Sequence, residues 1–311
     1  MSGLLHRLQT ELDRAEAYAF IHCAAGDAAG NDHARVIVGT VPRQGANPNR
    51  FSSAAGGSLV STIVQSSRCK RSQAVIQARE IRYQADEREM VATVAVPDGP
   101  GPHPVVLIAH EGPGLDDVQR ARASEIAALG YIGFALDYHG ELSPFATRDH
   151  MMERLGVLSA DPDRTRAIAH CALRAALNMP TADPTRIAAI GYCFGGTVAL
   201  ELGRSGADLK AIVGFHPGLT NKRPADNANI TARVLLCIGS DDPLIPFDDR
   251  SRFETEMRGT DVDWQIDVYG GVQHSFTHPL ASAAGIPGIG YHEIAATRAW
   301  ESMRVLLADV F

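Results

Sequence analysis

The most concentrated chemistry in this chain is one cysteine set among glycines, Gly191-Tyr192-Cys193-Phe194-Gly195-Gly196. An apolar run, residues 186–190, precedes it, and a helix-compatible stretch, residues 197–204, follows. A strand that turns this sharply into a helix pinches its own backbone, so the flanking positions must be small and the apical residue is presented at the carboxyl end of the sheet. There the partial positive charge of the helix N-terminus favours the thiolate, the form of cysteine that attacks. Cys171 and Cys237, in a helix-like and a strand-like segment, read instead as small apolar fillers.

A nucleophile on such a turn needs a base, and in an open sheet the acid follows a late strand and the histidine the last one. The apolar residues 234–238 run into Gly239-Ser240-Asp241-Asp242-Pro243, a turn with two carboxylates. Residues 264–269 run into Gly270-Gly271-Val272-Gln273-His274-Ser275-Phe276. His274 therefore takes the thiol proton and later activates water, while an aspartate orients the ring and stabilises its cation. Asp242, directly before Pro243, is the preferred acid; the pattern alone leaves Asp241 open.

Glu111 closes another apolar strand, residues 104–110, at the edge where ligands bind in open α/β sheets, and Gly112-Pro113-Gly114 follows it. The backbone N–H groups of Gly112 and Phe194 are the expected donors to an oxyanion. His110, His139, His216 and His278 have no spacing that resembles a compact metal site, so no metal is expected.

These residues require a scaffold of alternating strands and helices, and residues 78–311 supply the pattern of a mostly parallel sheet covered on both faces, an α/β fold. An antiparallel pair is expected within residues 80–96. A helix over 116–129 should end at Gly130, a strand follows at 131–136, and a helix at 161–177 opens with Asp161-Pro162. Further strands are expected at 209–215, 234–238 and 264–269, with a closing helix at 293–307.

Composition narrows the function classes. Of 311 residues, 36 are Asp or Glu and 29 Lys or Arg, a net charge of −7 that disfavours nucleic acid and anionic lipid as partners. No apolar run reaches the roughly 20 residues that span a bilayer, and the first 20 residues lack the apolar centre of a secretory signal. Five scattered cysteines form no disulfide framework, so a reducing, cytoplasmic setting fits. Residues 1–75 hold 8 basic and 5 acidic side chains, against 21 and 31 in the remainder. Apart from a short amphipathic pattern at residues 4–15 and apolar pieces at 36–41 and 59–64, they are rich in Gly, Ala, Ser, Asn and Pro. They read as a poorly ordered or weakly structured extension to a domain over 76–311.

Together, His110-Glu111, GYCFGG at 191–196, GSDDPLIP at 239–246 and HSF at 274–276 resemble the dienelactone hydrolase (carboxymethylenebutenolidase) family, over roughly residues 78–310. The resemblance implies an α/β-hydrolase fold, Cys193 as nucleophile, and Asp242 with His274 as its triad. It also implies that Glu111 holds the resting cysteine and helps control when it becomes a thiolate. A small-molecule lactone or ester would be opened through an acyl-enzyme without any cofactor, by a monomer or a homodimer. Ser275, His278 and Arg154 are the candidate substrate-binding side chains, His278 standing where the family carries an arginine. Gly112-Pro113-Gly114 replaces bulky aromatics and should leave a wider or differently shaped pocket. Competing readings on the same fold are a peptidase or thioesterase, and a non-catalytic binding or stress-response protein.

Overall fold

Antiparallel pairing needs only a short connection, and the chain uses it twice before its parallel sheet begins. The computed structural model describes residues 17–24, 35–42, 78–140 and 144–311. The chain divides into two units, Met1–Ser72 and Gln73–Phe311. In the first, β1 (Ala17–Ala24) pairs with β2 (Arg35–Pro42) in a register that joins Ala17 to Pro42 and Ala24 to Arg35. The helix expected at residues 4–15 lies outside the described residues, as does most of the expected extension.

In the second unit, β3 (Ala78–Ala85) and β4 (Arg88–Ala95) form a hairpin. Its two connecting residues, Asp86 and Glu87, both have positive φ, 54° and 58°, as the twist of a two-residue hairpin demands. The elements that follow are β5 (His103–Ala109), α1 (Asp117–Ala128), β6 (Ile132–Leu136), α2 (Arg148–Ala160), α3 (Pro162–Leu177) and β7 (Ala182–Tyr192). After these come α4 (Phe194–Arg204), β8 (Ala211–Phe215), β9 (Arg233–Gly239), α5 (Phe247–Met257), β10 (Trp264–Tyr269) and α6 (Glu293–Val310).

Eight strands make one sheet in the order β10-β9-β8-β7-β5-β6-β4-β3, parallel from β10 through β6 and antiparallel at β4 and β3. This is the expected α/β architecture. From β5 the chain goes first to β6 on one side and then to β7 on the other. The carboxyl ends of β5 and β7 thus flank the point where the winding reverses, which is where such sheets bind ligands. Ala109 pairs with Gly191, so Glu111 and Cys193 leave the sheet side by side.

Alternate residues of the central strands feed two cores. Val105, Leu107 and Ala109 pack on one face with α3 and α4; Val106 and Ile108 pack on the other with α1 and α6. Such double burial explains why these strands are apolar at every position. Caps set the helix ends: Asp116 accepts from the Gln119 N–H at 2.8 Å, and Asp161 from the Arg164 N–H at 3.1 Å, ahead of Pro162. Two helices, α2 and α5, were not expected, because each buries only two side chains: Arg154 and Leu158, and Phe253 and Met257. Among the described residues no helix is long and apolar enough to cross a membrane.

α1 lies so close to β6 that a Cβ at Gly133 would run into the Ala123 carbonyl, whereas a Cβ at Gly156, in α2, meets nothing within 4 Å. Gly133→Ala should therefore destabilise the domain by about 2–3 kcal/mol. Gly156→Ala should be neutral or stabilise it by up to about 1 kcal/mol through helix propensity. Urea denaturation of the two variants checks the contrast.

Candidate active site

Cys193 sits between β7 and α4 at φ 53°, ψ −122°, a conformation that costs a non-glycine residue about 1–3 kcal/mol. The glycines make it attainable. A Cβ at Gly191 would collide with the Gly195 backbone, one at Gly195 with the carbonyls of Ala109 and His110, and one at Gly196 with Pro217. The turn is held by the Cys193 N–H, which donates to Phe215 O (2.9 Å) and to His216 Nδ1 (3.1 Å). The Cys193 side chain makes no capping hydrogen bond, so its sulfur is left for chemistry at the helix N-terminus.

Asp242, not Asp241, meets the histidine. Its buried Oδ2 lies 2.7 Å from His274 Nδ1, and its Oδ1 accepts the Leu244 N–H at 2.8 Å. Asp241 is exposed and accepts from its neighbour Ser240. Strand-like pairing fixes the His274 loop: its N–H donates to Gly288 O and its carbonyl accepts from Gly290 N–H, both at 3.0 Å. The opposite ring nitrogen, Nε2, is buried with no hydrogen bond closed onto it. Burial pulls the imidazole pKa down, but Cys193 and Asp242 together raise it to about 10. Cys193 is the largest favourable cause, and the direction favours the imidazolium over the neutral ring.

Glu111 is buried beside them. Its Oε2 accepts from Ser275 Oγ at 3.0 Å, and its Oε1 makes no hydrogen bond, the nearest ring nitrogen being His216 Nε2 at 3.7 Å. Burial raises its pKa, opposed by the His278 and His274 charges and by the Ser275 hydrogen bond. Ser275, a candidate for substrate contact, thus serves the glutamate, from a backbone at φ 54°. His278 is half-buried and bonded to Asp116 Oδ2 at 2.8 Å, a hydrogen bond that raises its pKa.

Of the expected oxyanion donors, Phe194 is the first residue of α4, so its N–H has no carbonyl within the helix to bond. Gly112 follows Glu111 directly. Its carbonyl is fixed by His139 Nε2 at 2.9 Å. The two glycines of Gly112-Pro113-Gly114, where a wider or differently shaped pocket is expected, each have close neighbours. A Cβ at Gly112 would stand 3.0 Å from Leu155 and 3.4 Å from Met151, both in α2, and one at Gly114 would stand 3.0 Å from Pro144.

Arg154 does not stand free for a substrate. It is buried, paired with Asp86 at 2.9 Å and donating to Tyr138 O at 3.1 Å. Arg148 is exposed. The four other histidines do not converge on a metal position among the described residues. His110 contacts Glu111 O (2.6 Å) and Asp137 (3.7 Å), His139 contacts Gly112 O, His216 contacts Cys193 and Thr277, and His278 contacts Asp116.

Sequence reasoning missed Tyr138, whose hydroxyl donates to the carbonyls of His110 and Glu111, and Asp116 and Thr277. It treated His216 only as a metal candidate. The signal for His216 was its place directly after an apolar strand, the same place that selects Glu111 and Cys193.

The family model for the dienelactone hydrolase family matches residues 90–311. A probable 2-oxo-3-(5-oxofuran-2-ylidene)propanoate lactonase of Bradyrhizobium is 25% identical over 70% of this chain and 88% of its own length. The solved structure of a protein named m3DLH is 40% identical, with a TM-score of 0.74, covering 76% of this chain and all of its own. A dienelactone hydrolase-like promiscuous phosphotriesterase from metagenomic libraries is 36% identical with the same TM-score and coverage. This chain, a hydrolase with the α/β-hydrolase fold, belongs to the dienelactone hydrolase family.

Proposed function

We propose that this protein is a cysteine-dependent hydrolase that opens lactones or cleaves activated esters through a Cys193-His274-Asp242 triad and an acyl-enzyme. The observation that carries the reading is His274, bonded to a buried carboxylate on one side and raised to about 10 with Cys193 as the leading favourable cause. A buried imidazolium needs a counter-charge, and a Cys193 thiolate supplies it.

In the proposed cycle the thiolate sulfur attacks the substrate carbonyl carbon, and the carbonyl electrons move onto oxygen, where the N–H groups of Gly112 and Phe194 receive the oxyanion. Collapse breaks the carbon–oxygen bond of the leaving alcohol. His274 gives that alkoxide its proton, leaving a thioester and a neutral imidazole. His274 then takes a proton from water, whose oxygen attacks the thioester; the acid departs and the thiolate and imidazolium are restored. Lactones and activated esters suit a thiolate because their leaving oxygens need less help than an amide nitrogen.

Glu111 stands as a second, switchable charge. Its raised pKa favours the protonated acid, which lets a buried glutamate coexist with the thiolate. A cytoplasmic setting, where thiols stay reduced, belongs to the same reading. Because the 36% identical relative is a phosphotriesterase, a neutral phosphotriester is a second probe substrate.

Cys193→Ala should lower hydrolysis of p-nitrophenyl acetate by about 10³-fold or more with an unchanged circular dichroism spectrum. Undiminished turnover in that variant moves the nucleophile elsewhere. Iodoacetamide at neutral pH should label the peptide containing Cys193 first, ahead of buried Cys237.

The raised His274 pKa sets the direction of the pH response. The cation that protonates the leaving group persists below about 10 and is lost above it, so kcat/KM should fall as pH rises through that value. Asp242→Asn removes one of the raising charges and should move the alkaline limb to lower pH, with kcat reduced by about 10²–10⁴. A pH–rate profile of the two proteins measures both effects, and an unmoved limb would argue against His274 as the acid.

A further inference from the structure

We propose that His216 is a positioning residue that fixes the distance between the nucleophile and its histidine, by joining the Cys193 turn to the His274 loop through a neutral ring. The proposal rests on the triad reading given above and adds a residue that this reading does not use. His216 follows β8 directly, and its own N–H donates to Cys237 O of β9 at 2.8 Å. Its ring is fully buried.

Both ring nitrogens are committed, to two different loops. Nδ1 lies 3.1 Å from the Cys193 backbone nitrogen, and Nε2 lies 2.9 Å from Thr277 Oγ1, three residues after His274. A backbone N–H can only donate, so Nδ1 must be the acceptor. That fixes the neutral tautomer with its proton on Nε2, which donates to Thr277. One aromatic ring thus spans from the end of β7 to the loop after β10, across the end of β8. It also braces the imidazole directly, edge to face with His274 at 4.9 Å and with Phe276 at 5.4 Å between centroids.

The backbone carries a second sign. Outside the β3–β4 turn, the non-glycine residues with positive φ among the described residues are Cys193, His216 (41°) and Ser275. All three meet at Glu111 or at each other: Ser275 bonds its Oε2, His216 approaches its Oε1, and Cys193 bonds His216. Strain held on three strand-end loops that meet in one cluster marks a place where geometry is maintained against local preference. A ring that only filled space would need neither its tautomer nor its conformation.

The test separates hydrogen bonding from filling. Thr277→Val keeps the shape and removes the Nε2 acceptor. His216→Phe keeps most of the volume and removes both bonds, and His216→Asn restores an acceptor near the Nδ1 position. For each variant, kcat and KM on p-nitrophenyl acetate, the rate of Cys193 alkylation by iodoacetamide, and Tm are measured. Thr277→Val and His216→Phe should lose about tenfold or more in kcat, since small misplacements of reacting groups have effects of that size or larger. KM should stay within about twofold, alkylation should slow in parallel, and His216→Asn should be faster than His216→Phe.

His216→Phe with kcat and alkylation within about twofold of wild type overturns the proposal. If that variant does not fold, Thr277→Val decides: a kcat within about twofold of wild type overturns it equally. Failure of the triad reading itself gives a different result, namely activity that survives in Cys193→Ala.

Discussion

The site depends first on a steric constraint, the closeness of the β7–α4 turn to its surroundings. Gly191 and Gly195 face each other with no room for a Cβ, and Gly195 also rests against the carbonyls that end β5. That packing lets α4 begin directly under the sheet edge, which puts Cys193 at the helix N-terminus, on the strand next to the one that leads to Glu111. The same contact bears on the proposed oxyanion donors, because Phe194 N–H belongs to the turn and Gly112 N–H lies two residues beyond the His110 carbonyl that Gly195 approaches. A larger residue at Gly195 would disturb Cys193 and the end of β5 that leads to Glu111 together.

Around this turn the histidine pKa values move in opposite directions, and the partner decides which. Burial alone disfavours the cation. His139 has burial and the His110 charge against it, offset in part by the Gly112 carbonyl it contacts and by Asp137, with which its ring makes no hydrogen bond, and falls to about 3. His216 has burial and the charges of His274 and His278 against it, and lies well below the usual value. His278 donates a direct hydrogen bond to Asp116 and rises. His274 gains Cys193 and Asp242 and rises furthest, to about 10, although it too is buried. A carboxylate or thiolate in contact therefore outweighs desolvation, while a carbonyl or hydroxyl does not. The neutral His216 next to the cationic His274 follows from the same rule, since two adjacent cations would repel.

Much of this was legible in the sequence because the central strands are buried on both faces. Residues 105–109, 187–190 and 234–238 had to be apolar throughout, and each announces the loop behind it, so Glu111, Cys193 and Asp242 could be found from the position of the strands. The order of nucleophile, acid and histidine did the rest. What stayed hidden depends on pairs distant in the chain. Arg154 looks like a surface charge until Asp86, in the β3–β4 turn, is placed against it. α2 shows no apolar stripe because its buried face holds that arginine. Gly112 and Gly114 read as room in the sequence, and their neighbours Met151, Leu155 and Pro144 are known only once the chain is folded. His216 carried a strand-end position but no motif partner, and its role needs the Thr277 loop alongside.

In the proposed cycle one consequence of these charges is that the same histidine serves as acid and then as base without moving. Before attack the Cys193 charge is the largest favourable cause of the high His274 pKa, which makes the ring a held cation. Forming the thioester removes that charge, so only Asp242 still supports the cation, against the burial that opposes it. The proton thus becomes easier to release at the moment the leaving alkoxide needs it, and the neutral ring that remains is ready to activate water. Glu111 follows the same logic in reverse. The charges that hold its pKa down include His274, so loss of the His274 proton favours the uncharged acid at Glu111. In the proposed cycle attack removes the Cys193 charge and release of the acid restores it, and the buried groups around it adjust in the direction the next step requires.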